Sequence, residues 1–315
     1  MANILNFMQK NKISYHFFYN FVAQFMKMMK KIAIITALAL LLASCSSLTK
    51  EQSRTMFVTI PPLQHLVEEI TCGDFDVEIL VPEGASPESY EPTSQQIAKL
   101  SDAELVFEIG LIDFEKSLVR HVENSERLVN LAEGITTIKG SCSHHHHGHD
   151  HNHSHGVDPH IWTSPRALGT MVGNISAALR TAYPDSTKYF DAAERVAARL
   201  QELDRECGEK IAASGTKAIM IYHPAYTYLA RDYAIEQVTI EQEGKEPTPR
   251  QLTELVDKAR TMDIKRIFHQ PQYSPDKLRS IASEIGAEVI VCDPLSRDIE
   301  REIRRVVELI SNGNE

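Results

Sequence analysis

No Gly-rich phosphate loop, no GxSxG turn and no HExxH pair occurs in the 315 residues. The chain therefore lacks the usual signatures of nucleotide binding, serine hydrolysis and metalloprotease chemistry. Cysteine is sparse. None of the five forms a CxxC pair, which argues against a structural zinc knot. A surplus of positive charge is missing too: 33 Lys and Arg face 43 Asp and Glu, for a formal charge of -10. That balance disfavours a nucleic-acid partner and suits attraction of cations. The apolar run Ile32 to Leu42 is too short to span a bilayer.

Histidine is what the chain has in abundance. Eight of its fourteen histidines fall in one stretch: His144, His145, His146, His147, His149, His151, His153 and His155. Only Gly, Asp, Asn and Ser interrupt them, so the stretch cannot pack a core. Neutral imidazole is a good ligand for zinc, copper and nickel. The run reads as a metal-collecting loop over residues 143–156. A purification tag would sit at a terminus and would not lead into the DPHIW segment that carries His160.

The start of the chain reads as an export signal. Met28-Met29-Lys30-Lys31 is a basic n-region, Ile32 to Leu42 an apolar h-region, and Leu42-Ala43-Ser44-Cys45 is similar to a bacterial lipobox. Residues 1–27 read as an upstream extension, 28–44 as a lipoprotein signal peptide, and 45–54 as a tether lipidated at Cys45. Such a protein is extracytoplasmic, where a disulfide is permitted. The sequence assigns no pairing among Cys72, Cys142, Cys207 and Cys292.

Beyond the tether, strands alternate with helices. Strands are expected at Met56–Ile60, Val77–Val81, Leu105–Ile109 and Leu128–Leu131. Helices are expected at Leu63–Ile70, Ser94–Leu100 with Ser94 as N-cap, and Phe114–His121. The pattern restarts with strands Ala218–Tyr222, Gln237–Ile240, Arg266–Phe268 and Val289–Cys292. Helices Leu252–Met262, Pro275–Ile285 and Ile299–Ile310 lie among and after them. Such alternation indicates parallel sheets of the α/β class. Between the halves, Pro165–Tyr183 is helical. Residues 185–213 then form a helix long enough to act as a stiff strut. The expected lobes are thus 55–184 and 214–315.

In parallel sheets, ligands bind beyond the carboxyl ends of the strands. Glu88, His160, His223, His269 and Asp293 all fall at such positions, and each is a candidate metal ligand. His65 and His121 read as bystanders.

Five motifs give the chain a resemblance to the cluster A-I (ZnuA/TroA-like) metal-binding proteins of ABC importers. They are GASPESYEP (Gly84–Pro92), DPHIWTSP (Asp158–Pro165), YHPAYTYLARDY (Tyr222–Tyr233), EGKEPTPRQL (Glu243–Leu252) and DPL (Asp293–Leu295). The resemblance covers about residues 55–311. It implies a C-clamp of two Rossmann-like lobes joined by one long rigid helix, with the metal between them. It carries ligand roles onto His160, His223 and Asp293. It departs at Glu88, where the family usually has histidine. Either Glu88 ligates directly, or His269 supplies the missing nitrogen.

The resemblance implies capture of a metal ion and its delivery to a membrane permease; the histidine run favours Zn2+, the lipobox gives a lipid anchor, and a monomer without enzymatic activity is expected. Mn2+ is the alternative cargo, since two carboxylates make a harder ligand set. A zinc-scavenging or adhesin-like lipoprotein without a permease is the alternative role. A zinc hydrolase would need an open coordination position, which four protein ligands would close.

Overall fold

The computed structural model describes residues 17, 19–31, 54–118, 121–122, 125–140, 156–241, 245–274 and 276–312. The apolar run Ile32–Leu42, Cys45, Cys142 and the histidine run His144–His155 lie outside the described residues. The chain divides into two units, Met1–Ser53 and Arg54–Glu315. In the first, residues 19–31 form a helix with every side chain exposed. No described helix is long and apolar enough to cross a membrane.

The second unit holds two parallel four-stranded sheets. The first comprises β1 (Thr55–Val58), β2 (Asp76–Ile79), β3 (Val106–Glu108) and β4 (Leu128–Asn130), in the order β2-β1-β3-β4. Its helices are α1 (Pro61–Ile70), α2 (Ser94–Leu100) and α3 (Glu115–Leu118). Two helices follow, α4 (Pro165–Ala182) and α5 (Thr187–Ser214). The second sheet comprises β5 (Ala218–Ile221), β6 (Glu236–Thr239), β7 (Arg266–His269) and β8 (Glu288–Val291). It repeats the first order as β6-β5-β7-β8. Its helices are α6 (Thr227–Asp232), α7 (Pro249–Thr261), α8 (Asp276–Ile285) and α9 (Ile299–Ser311).

The helix starts follow local chemistry. Proline at the first position lacks an N–H that would be orphaned anyway, and α1, α4 and α7 all begin with it. Ser164 Oγ accepts the Ala167 N–H at 3.1 Å and caps α4. The expected cap at Ser94 is overturned. Thr93 is the cap, its hydroxyl accepting the Gln96 N–H at 3.3 Å while Gln96 Oε1 accepts the Thr93 N–H at 2.9 Å. A capping box needs a Glu or Gln three residues after the cap; from Ser94 that position is the apolar Ile97. The expected helix Phe114–His121 is also shorter, with α3 covering Glu115–Leu118 and His121 in the turn beyond it. The Glu115 carboxylate accepts the N–H groups of Ile109, Gly110 and Ile112 at 2.8–3.0 Å, which ties α3 to the end of β3.

Strands covered on both faces need apolar residues throughout. In the first sheet Met56, Val58 and Phe107 face the main core, while Phe57 and Val106 face a second cluster with Leu80, Leu100 and Leu118. The main core does not stop at the lobe boundary. It runs from Met56 and Phe107 through Leu168 and Met171 of α4 and Val196, Leu200 and Leu203 of α5. From there it continues to Ile221 and Phe268 of the second sheet and to Ile303 of α9. The 28-residue α5 buries one stripe, from Tyr189 through Val196 to Ile211, and ends at Gly215 in the left-handed conformation (φ 68°). Across α5, Arg199 pairs with Glu69 of α1 and Glu300 of α9, both at 2.7 Å. Among the described cysteines, Cys72, Cys207 and Cys292 are free.

Candidate metal centre

The carboxyl ends of both sheets converge on one small cluster. Glu88 arrives on the turn-rich loop after β2. His160 precedes a 3-10 turn, Ile161–Thr163, and His223 stands two residues beyond β5. Their ligating atoms form a triangle. His160 Nε2 and His223 Nε2 are 3.2 Å apart. Glu88 Oε1 lies 3.2 Å from His223 Nε2 and 3.6 Å from His160 Nε2. A tetrahedral zinc with bonds of 2.0–2.1 Å has ligand-to-ligand edges of about 3.3–3.5 Å. The triangle thus has the dimensions of one face of such a tetrahedron. These three residues are the one cluster of potential ligands among the described residues.

Each imidazole is oriented from behind. Asp158 Oδ1 lies 2.9 Å from His160 Nδ1 and also accepts the His160 backbone N–H at 2.9 Å. Glu241 Oε1 lies 2.9 Å from His223 Nδ1. A carboxylate at Nδ1 fixes the tautomer that protonates that nitrogen and leaves the Nε2 lone pair for a metal. Gln270 reads the His223 backbone, its amide donating to the His223 carbonyl at 2.6 Å. Burial opposes charge on His223, but the hydrogen bonds and negative charges of Glu241 and Glu88 outweigh it and push its pKa up to about 10. Burial raises Asp158, and the neighbouring His160 more than offsets this, so its carboxyl sits below the usual range.

The His160 segment is fastened to the second lobe. Trp162 Nε1 donates to the Pro294 carbonyl at 2.7 Å, and Thr163 Oγ1 to the Ala225 carbonyl at 2.9 Å. A pocket of about 20 Å³ adjoins the triangle, lined among others by Glu88, His160, Trp162, His223, Tyr273 and Leu295. That is room for one ion or water. A larger cavity of about 610 Å³ lies at the amino ends of β5 and β7, away from these ligands.

The other candidates are placed differently. His269 ends β7 and is buried, but its Nε2 donates to the Tyr273 carbonyl at 2.7 Å. Asp293 follows β8 and its Oδ1 accepts the Leu295 N–H at 3.1 Å, so it stands beside the pocket and outside the triangle. Burial, with Glu302 and Glu83 nearby, raises its pKa. His65 and His121 are exposed. The sequence reading missed Asp158 and Glu241. Asp158 was signalled by its place two residues before His160; Glu241 comes from the end of another strand and had no local signal.

Known proteins resemble this chain in sequence and fold. The ZnuA family model, a periplasmic zinc-uptake complex component A, matches residues 56–310. The high-affinity zinc uptake system protein ZnuA of Bacillus subtilis is 31% identical over 280 residues, covering 83% of this chain and 87% of that one. The zinc-binding lipoprotein AdcA of Streptococcus pneumoniae is 28% identical over 88% of this chain and 57% of its own length. A crystal structure of ZnuA superposes with a TM-score of 0.75 at 32% identity, covering 84% of this chain and all of that one. With two matched parallel sheets, a long helix between them and an imidazole-carboxylate triangle at their carboxyl ends, the chain belongs to the ZnuA family.

Proposed function

We propose that this protein captures Zn2+ outside the cytoplasm and hands it to the membrane permease of an ABC importer, with no catalytic step of its own. The observation that carries the reading is the triangle of Glu88, His160 and His223, whose edges match a tetrahedral zinc face while Asp158 and Glu241 hold both Nε2 atoms toward its centre. Asp293 is the proposed fourth donor, and His269 is the proposed alternative to Glu88. The histidine run His144–His155 is proposed to collect zinc at weaker sites, and Cys45 to carry the lipid anchor. Titration of zinc into the metal-free protein tests the reading. One tight site that is lost in His223→Ala supports it, and wild-type affinity in that variant defeats it.

One feature favours Mn2+ as a second reading: a carboxylate stands where a third imidazole would select zinc. Competition between the two ions for the metal-free protein separates the readings, and preference for Mn2+ at equal concentration defeats zinc.

A further inference from the structure

We infer that Tyr228 is the positioning residue through which the second lobe sets the orientation of the His160 imidazole. The inference rests on the reading of His160 as a zinc ligand. Tyr228 lies on α6 and is fully buried, with Arg231 stacked over its ring at 5.0 Å. Its hydroxyl donates to the Asp158 carbonyl at 2.7 Å and accepts the Ile138 N–H at 3.2 Å. Ile138 and Asp158 are also joined to each other, the Asp158 N–H donating to the Ile138 carbonyl at 2.9 Å. One hydroxyl therefore pins two backbone strands from the first half of the chain to a helix of the second lobe.

The consequence passes along two bonds. Fixing the Asp158 backbone fixes where its carboxylate starts. That carboxylate holds both the His160 N–H and Nδ1 at 2.9 Å. The ring then has one orientation, with Nε2 facing His223 Nε2. The Tyr228 hydroxyl bonds backbone groups, those of Asp158 and Ile138, so its path to the His160 ring runs through Asp158. Groups behind a metal-bound histidine change affinity by about 10- to 100-fold when removed.

The test uses the full chain with Tyr228→Phe, Asp158→Asn, His160→Ala and the two doubles with His160→Ala. Competition titration gives zinc affinity, and the electronic spectrum of bound Co2+ reports ligand geometry. Tyr228→Phe keeps the ring in its packing and removes only the hydroxyl. It should weaken zinc by about 10- to 100-fold and alter the Co2+ bands. In the His160→Ala background it should have no further effect on zinc, because coupled positions are not additive. Asp158→Asn keeps the carbonyl that Tyr228 holds and replaces the carboxylate, so it should show the same dependence on His160 even if the Phe variant folds poorly. The inference is overturned if either variant leaves affinity and Co2+ spectrum unchanged, or weakens zinc equally with and without His160. A lowered melting temperature with unchanged zinc affinity also overturns it. If His160→Ala alone binds zinc as tightly as wild type, the site reading falls as well, and that result is distinct from a failure confined to Tyr228.

Discussion

Glu88 stands where the resemblance led one to expect histidine, and its carboxylate reaches both imidazoles. Glu88→His should therefore complete a three-nitrogen set. Its expected result is tighter zinc binding and weaker Mn2+ binding, read by competition titration; a gain for Mn2+ would contradict the proposed role of the carboxylate. His223 makes a second prediction. Glu241 and Glu88 hold it protonated toward pH about 10, whereas an ion at Nε2 needs that nitrogen free. Zinc binding at neutral pH should release a proton, seen as a binding enthalpy that changes with the ionisation enthalpy of the buffer. Away from the site, burial and then the charge of Glu115 push the Glu108 carboxyl up from 4.5 to about 8. A carboxyl raised in the folded state binds a proton that the unfolded chain has lost, so folding is penalised progressively as pH rises from 4.5 to about 8. His223 acts in the same direction, its contribution being complete below 6.5 and lost as pH rises through about 10. The metal-free protein should thus melt at lower temperature as pH rises through neutrality. Glu108→Gln should flatten that slope between pH 4.5 and 8; an unchanged slope would show that Glu108 carries no excess proton.

Among the elements, those set by strong local signals were legible. Apolar runs bounded by turn residues marked every strand to within about two residues, and the unbroken amphipathic stripe marked α5. Caps were less legible. Thr93 and Ser94 are both good cap residues, and only the position of Gln96 decides between them. The helix α6 is not legible in the sequence because its few residues, TYLARD, make less than two turns and show no periodicity. At the site, the three members of the triangle were legible because His223 lies just past a strand end, His160 in a DPH motif and Glu88 in the turn-rich loop that follows β2. Their rear supports were not, since Glu241 meets His223 only through the pairing of β5 with β6. The segment flanking the histidine run gives a further expectation. Lys139 and Val157 form an antiparallel bridge, and the Gly140 N–H donates to the Gly156 carbonyl at 2.6 Å. The two ends thus stand side by side. Ordering the run around ions would cost roughly 1–2 kcal/mol per residue fixed. Deleting residues 143–155 should remove weak zinc sites and leave the tight site's affinity unchanged; loss of the tight site in calorimetry would place a primary ligand in the run.

For the molecule as a whole, the shared core limits motion. The apolar contacts of α4, α5 and α9 continue from one sheet to the other without a break, and Arg199 spans α1 and α9 across them. Packed interfaces of this kind slide or tilt by small amounts, whereas wide hinge closure needs a few free loop residues. Zinc should change the radius of gyration little in small-angle scattering, and a large compaction on binding would contradict the strut. Arg199→Ala removes a half-exposed pair with Glu69, worth at most about 1 kcal/mol, and leaves the buried Glu300 carboxylate without its partner, which costs more. It should lower the melting temperature and leave zinc affinity unchanged.

The paired ends at residues 139–140 and 156–157 also make this a place for foreign sequence. An inserted domain with adjacent termini would need no long linkers there, and it would be grafted one hydroxyl, that of Tyr228, away from Asp158 and the site. A circularly permuted fluorescent protein in that position would turn the binding protein into an optical sensor of its own cargo.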